Sequence, residues 1–200
     1  MQELFTTKSL TYLPTPNRQT LQLIKEYEQL QGVERTEEQE TRYQELLKDE
    51  PVAQEIRLTV GTVNALQQAR YQSYLRKARS WFQQESGGML PSDFIEDVPE
   101  DSEEYPYLFG LLRMSHAWAG IISALKSYEI RDYPLFTAIV NTEWKEQTIP
   151  AEWKTIEGFL NAMPTDLLWT LEALANEANP NLWHVPGDEE SKKFGVMSVT

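Results

Sequence analysis

Apolar side chains recur at Leu21, Ile24, Tyr27 and Leu30, three residues apart, which lays them along one side of a helix that Gly32 ends. Thr36 with Gln39 three residues on forms a capping-box pattern, and Tyr43, Leu46 and Leu47 supply the stripe of a second helix before Asp49 and Pro51. The short loop at Gly32 turns the second helix back along the first. From Pro51, the positions Val52, Ile56, Val60, Val63, Leu66, Tyr71, Tyr74, Ala78, Trp81 and Phe82 keep intervals of mostly three and four, predicting one long helix to Gln84. Gly61, set among the β-branched Thr59, Val60, Thr62 and Val63, marks where that helix would kink or give way to a short strand.

Ser86 to Glu104 combines Gly87, Gly88, Pro91 and Pro99 with many acidic residues and predicts a long acidic loop. Met89, Leu90, Phe94, Ile95 and Val98 inside it either fold back onto the rest of the chain or form a partner-binding segment. The run YPYLFGLLRMSHAWAGIISALKSYEI, beginning at Tyr105, has apolar residues on more than one face and predicts a buried central helix. Its Gly110, Ser115, Gly120 and Ser123 would let another helix approach closely. Asp132 then caps a helix bearing Leu135, Phe136, Ile139, Val140 and Trp144.

Pro150 and Pro164 each open a short helix, the first carrying Trp153, Ile156, Phe159 and Leu160, the second Leu167, Leu168, Leu171, Leu174 and Ala178. Asn179-Pro180 stops the second, because proline supplies no helical N–H and disfavours α geometry in the residue before it. Trp183 follows as a C-terminal lock beside Trp169 or Trp153, and FGVMSVT ends the chain as a tail, a docking peptide or an edge-seeking strand. The pattern therefore predicts an all-α fold, a helical bundle of about seven helices with a long acidic loop. Its expected organisation is an N-terminal helical arm with the loop over 1–104, a helical core over 105–185 and a polar tail over 186–200.

Composition narrows the function. Lys+Arg 18 against Asp+Glu 31 gives a net charge of -13, which disfavours nucleic acid and anionic membrane surfaces and favours basic or apolar protein partners. With no cysteine there is no disulfide, thiolate metal site or cysteine nucleophile, and the expected compartment is cytoplasmic, the host cytoplasm if the protein is viral. No run of about 18 apolar residues predicts a membrane span, and the first residues lack a signal-peptide pattern.

Candidate chemistry is sparse. His116 and His184 lie far apart and outside any ligand-spaced cluster, so no metal site is expected. His116 reads first as a packed histidine and second as a catalyst paired with a carboxylate. GxSxG, Walker and GxGxxG patterns are absent, and no carboxylate pair stands out, so neither an enzyme activity nor a cofactor is expected. Arg70, Arg76, Lys77 and Arg79 form one basic cluster, suited to an acidic partner or to the chain's own acidic loop. Six tryptophans from Trp81 onward fill a core or line an aromatic groove. As candidate partner-binding residues the sequence offers Trp153, Trp169, Trp183 and Pro180 at the C-terminal end, with Phe94 and Ile95 in the acidic loop.

In its C-terminal half, the order of LLRMSHAWAGIISALKSYEI, YPLFTAIVNTEWKEQTIPAEWKTIEGFLNAMPTDLL and EANPNLW resembles the tail assembly chaperones of long-tailed bacteriophages over Leu108 to Trp183. The resemblance implies a small, mostly helical, cytoplasmic protein without catalytic residues, which binds the tape-measure protein and keeps its apolar helices soluble during tail assembly. Pro164, Asn179, Pro180 and Trp183 are the positions that carry it most directly. A permanent structural or adaptor subunit of a multiprotein assembly, self-associating or not, would present the same apolar surface.

Overall fold

The computed structural model describes residues 6–137 and 142–180. In chain order the elements are β1 (Thr7–Tyr12), α1 (Arg18–Leu30), α2 (Glu37–Lys48), β2 (Val52–Gly61), α3 (Ala65–Glu85), α4 (Pro91–Asp97), α5 (Tyr105–Ala124), β3 (Leu125–Pro134), β4 (Lys145–Gln147), a 3-10 turn (Ala151–Lys154), α6 (Ile156–Ala162) and α7 (Thr165–Ala178). The strands form one antiparallel sheet in the order β1-β2-β3-β4. Tyr128 lies opposite Gln147 and Ile130 opposite Lys145 where β4 closes one edge.

The sheet corrects the all-α expectation: the fold mixes helices with four strands. The long helix expected from Pro51 is β2 followed by α3, and the two are separated by Thr62 to Asn64. Val52, Ile56 and Val60 are four apart, a spacing that a helix and an alternating strand share. Leu58 decides between them, because Ile56, Leu58 and Val60 alternate with Glu55, Arg57 and Thr59 at the strand period of two. The central helix likewise ends at Ala124 and not at Ile130, since Tyr128 and Ile130 alternate with Glu129 and Arg131 through β3. Asp132 sits inside that strand and opens no helix, and Leu135 to Thr137 form a turn. The acidic loop also contains a regular element, α4, whose first turn accommodates Pro91.

Local chemistry explains the helix starts. Asn17, Thr36 and Asn64 each accept a hydrogen bond on the side chain from a backbone N–H of the first turn, and Thr36 and Asn64 complete capping boxes with Gln39 and Gln67. Gly87 and Gly88, both with positive φ, release the chain from the end of α3. At Gly158 a Cβ would collide with the backbone carbonyl of Glu152, so only glycine lets the 3-10 turn fold so tightly onto α6.

The chain divides into two compact units, and the division falls within β1, β2 and β3. In the first unit (residues 1–10, 59–126 and 149–200), α5 packs against α3 and α7. Trp118 is fully buried and its indole N–H donates to the Trp153 carbonyl at 2.9 Å, while Phe82, Phe94, Leu108, Leu111 and Leu112 form a neighbouring apolar cluster. Asn179, 6% exposed, ties the end of α7 to the end of β2. Its Oδ1 accepts from Val63 N–H at 2.6 Å, and its Nδ2 donates to the carbonyls of Gly61 at 3.1 Å and Ala175 at 2.9 Å. The Asn-Pro stop is thus a buried polar clasp as well as a helix terminator.

In the second unit (residues 11–58 and 127–148), α1 and α2 form an antiparallel hairpin over Tyr27, Leu46 and Phe136. Tyr27 stacks on Tyr43 at 5.4 Å and on Phe136 at 4.6 Å. Arg42 clamps Glu26 across the hairpin through Nε at 2.8 Å and Nη2 at 2.9 Å. Arg35 lies over the Tyr43 ring at 4.0 Å and donates to the Leu30 carbonyl at 2.7 Å, which fixes the turn.

Candidate functional site

Of the residues proposed from the sequence to meet a partner, the structure brings few to the surface. Trp153 is buried, its ring set edge-on to Phe159 at 5.7 Å. Phe94 is buried among Phe82 and Leu108, and Ile95 packs against the same cluster, so the apolar residues of the acidic segment fold back onto the first unit. Pro180 is exposed beyond α7. Trp183, His184 and the FGVMSVT tail lie outside the described residues, as do Ile139 and Val140.

Among the described residues Trp169 is the aromatic candidate that stays partly exposed. Leu167, Leu168, Leu171 and Ala175 bury the inner face of α7, and this anchors the helix and leaves Trp169 half-buried at its side. The guanidinium of Arg113, on α5, covers the indole at 4.3 Å and reaches Glu172 on α7 at 3.8 Å. Burial pushes the Glu172 carboxyl above the usual carboxylate range, and Arg113 pulls only partly in the other direction. One turn further on, the buried Oδ1 of Asn176 has no hydrogen-bond partner. The site is therefore an aromatic plane shielded by one long, half-exposed cation, with an unevenly satisfied polar flank. Such a surface offers contact area and carries no arranged nucleophile, acid and base.

A second tryptophan surface was not anticipated. Arg57 and Glu129 pair across β2 and β3 through two hydrogen bonds of 2.8 and 2.9 Å, and Arg131 pairs with the nearly buried Glu55. Trp144, just before β4, lies under both guanidiniums, 4.3 Å from Arg57 and 4.5 Å from Arg131. Each cation already holds a carboxylate, so this layer is internally neutralised. The signal was present in the alternating charges of Glu55, Arg57, Glu129 and Arg131, but only the strand pairing brings them together.

His116 hydrogen-bonds through Nδ1 to the Leu112 carbonyl at 2.9 Å, one turn back on α5. Among the described residues no three His, Asp or Glu side chains gather as a metal site, and no helix is long and apolar enough to cross a membrane. Two open depressions mark the helix surfaces, about 530 Å³ along α2 between Glu37 and Lys48 and about 450 Å³ along α3 between Ser73 and Gln84. No family model matches the chain, and no match was found among curated proteins or solved structures.

Proposed function

We propose that the protein is a non-enzymatic assembly factor, a phage tail assembly chaperone that binds the tape-measure protein and keeps its apolar helices soluble. The observation that carries this reading is Trp169, an indole left partly exposed on a helix whose other face is firmly anchored. A client helix that displaces the Arg113 guanidinium gains the ring face, in the mode by which amphipathic helices seat on aromatic surfaces. The sequence resemblance from Leu108 to Trp183 spans the same elements, α5 through α7, and supports the assignment.

Co-expression with a long apolar helical client tests it. Trp169→Ala combined with Trp183→Ala lowers the soluble client several-fold while the circular dichroism and melting of the protein stay near wild type. Trp144→Ala, altering the neutralised layer, leaves client solubility unchanged. Undiminished soluble client with the folded double variant overturns the proposal. Mass spectrometry of finished particles separates the chaperone, which is absent from them, from a permanent adaptor subunit, which is present in stoichiometric amount.

A further inference from the structure

The first unit carries two exposed surfaces of opposite charge. α3 bears Arg70, Arg76, Lys77 and Arg79 against one acidic residue, Glu85, in a chain whose net charge is -13. Tyr71, Ala78 and Phe82 turn inward, while Arg76 and Lys77 stand exposed beside the open depression that Ser73, Ser80, Trp81 and Gln84 help to line. Lys77 lies near the Tyr74 ring at 5.5 Å, and among the described residues neither Arg76 nor Lys77 forms an ion pair. The acidic segment that begins in the last turn of α4 is the complement: Glu96, Asp97, Glu100, Asp101, Glu103 and Glu104 are all exposed, with no Lys or Arg between Trp81 and Leu112. Phe94, Ile95 and Val98 anchor that segment to the Phe82 cluster, so its carboxylates are held outward, and among the described residues none of these six forms a salt bridge.

We infer that the basic face of α3 docks the acidic segment of a second copy of this chain, forming a head-to-tail contact. Two different patches meet in such a contact, so each bound copy still offers one free patch, and the association propagates until a ring closes or a filament grows. Exposed ion pairs are individually weak and the field beyond about 8 Å is screened at physiological salt. The contact is therefore weak, salt-sensitive and dependent on several charges acting together. It is independent of the client surface at Trp169.

Sedimentation velocity of the full chain at low and at high ionic strength, across a range of concentrations, is the test. At low salt the mass rises above the monomer with concentration, and at high salt the association weakens at least tenfold. Two charge-reversed proteins, R76E/K77E and E100K/D101K, each sediment as folded monomers at low salt. Mixed in equal amounts they associate again, because the α3 face of the second and the acidic segment of the first rebuild the native contact, and the two reversed patches are themselves complementary. Wild-type protein that stays monomeric at low salt overturns the inference, including when it instead retains an added polyglutamate peptide or DNA. Association of either reversed protein at wild-type strength overturns it too, as does a mixture that remains monomeric.

Discussion

The two units of this chain are held together by different physics. In the first, α5 presents Leu112, Ala117, Trp118, Ala119 and Ile121 to an almost wholly apolar interior, where burial is the main stabilising term. In the second, the apolar cluster is small, and much of the cross-linking is polar: Arg42 to Glu26, Arg57 to Glu129, Arg131 to Glu55, with arginine also stacked on Tyr43 and Trp144. The Glu50 carboxylate accepts the backbone N–H groups of Phe136 at 2.6 Å and Thr137 at 2.7 Å, holding the turn after β3. A unit built on burial is nearly indifferent to salt. One built on partly exposed pairs is not.

The largest break comes from Trp118→Ala. It removes the largest fully buried ring and leaves the Trp153 carbonyl without its donor, so the loss should be about 3–5 kcal/mol. Chemical denaturation should show it with little dependence on salt. Asn179→Ala comes next, at about 2–3 kcal/mol, because it strands the Val63 N–H and two carbonyls in a dry environment. Asn179→Asp replaces the donor with a second acceptor facing those carbonyls and should not rescue the loss.

In the second unit Trp144→Ala should cost only about 1–2 kcal/mol, the sum of two partly exposed cation–π contacts at roughly 0.5–1 each. Its companion, Arg57→Met, keeps much of the side-chain bulk and removes the pair with Glu129. That variant should melt lower than wild type at low ionic strength and approach it at high ionic strength. Equal losses at both salt concentrations would mean that packing, and not charge, holds the layer.

The same contrast decides what could be read from the sequence. Helix starts were legible where the cap is local, as at Thr36 with Gln39, and so was the anchoring of Leu167, Leu168 and Leu171 on α7 behind Pro164. The strands were not, because Val52, Ile56 and Val60 satisfy helical and strand spacing together and the tie is broken by Leu58 and by a partner 72 residues away. Trp153 and Trp169 look alike in sequence, yet one faces Phe159 and the other lies beneath Arg113. Only tertiary packing separates a core tryptophan from a surface one. The Arg57, Arg131 and Trp144 layer was hidden for the same reason, since each residue comes from a different strand or flank.

The smallest effect is the sharpest discriminator, because two glutamates should respond to pH with opposite signs. The hydrogen bonds from Arg57, helped by its charge, hold the Glu129 carboxyl below the ordinary value of 4.5. The unfolded chain then binds more protons between the depressed value and 4.5, so this contribution is fully present above 4.5 and is lost as the pH falls through the folded value. Burial raises Glu172 above 4.5, so there the folded state binds the extra proton, and its ionised carboxylate opposes folding once the pH has risen through the raised value. Accordingly, Glu129→Gln should lower the melting temperature at neutral pH, with the deficit shrinking in acid. Glu172→Gln should raise it at neutral pH, with the gain fading as the pH falls towards 4.5 and the native carboxyl takes up its own proton. Melting curves of both variants from pH 3 to 7 check this; slopes of the same sign would show that Arg113 offsets the burial of Glu172 completely, and that the two units share one electrostatic rule after all.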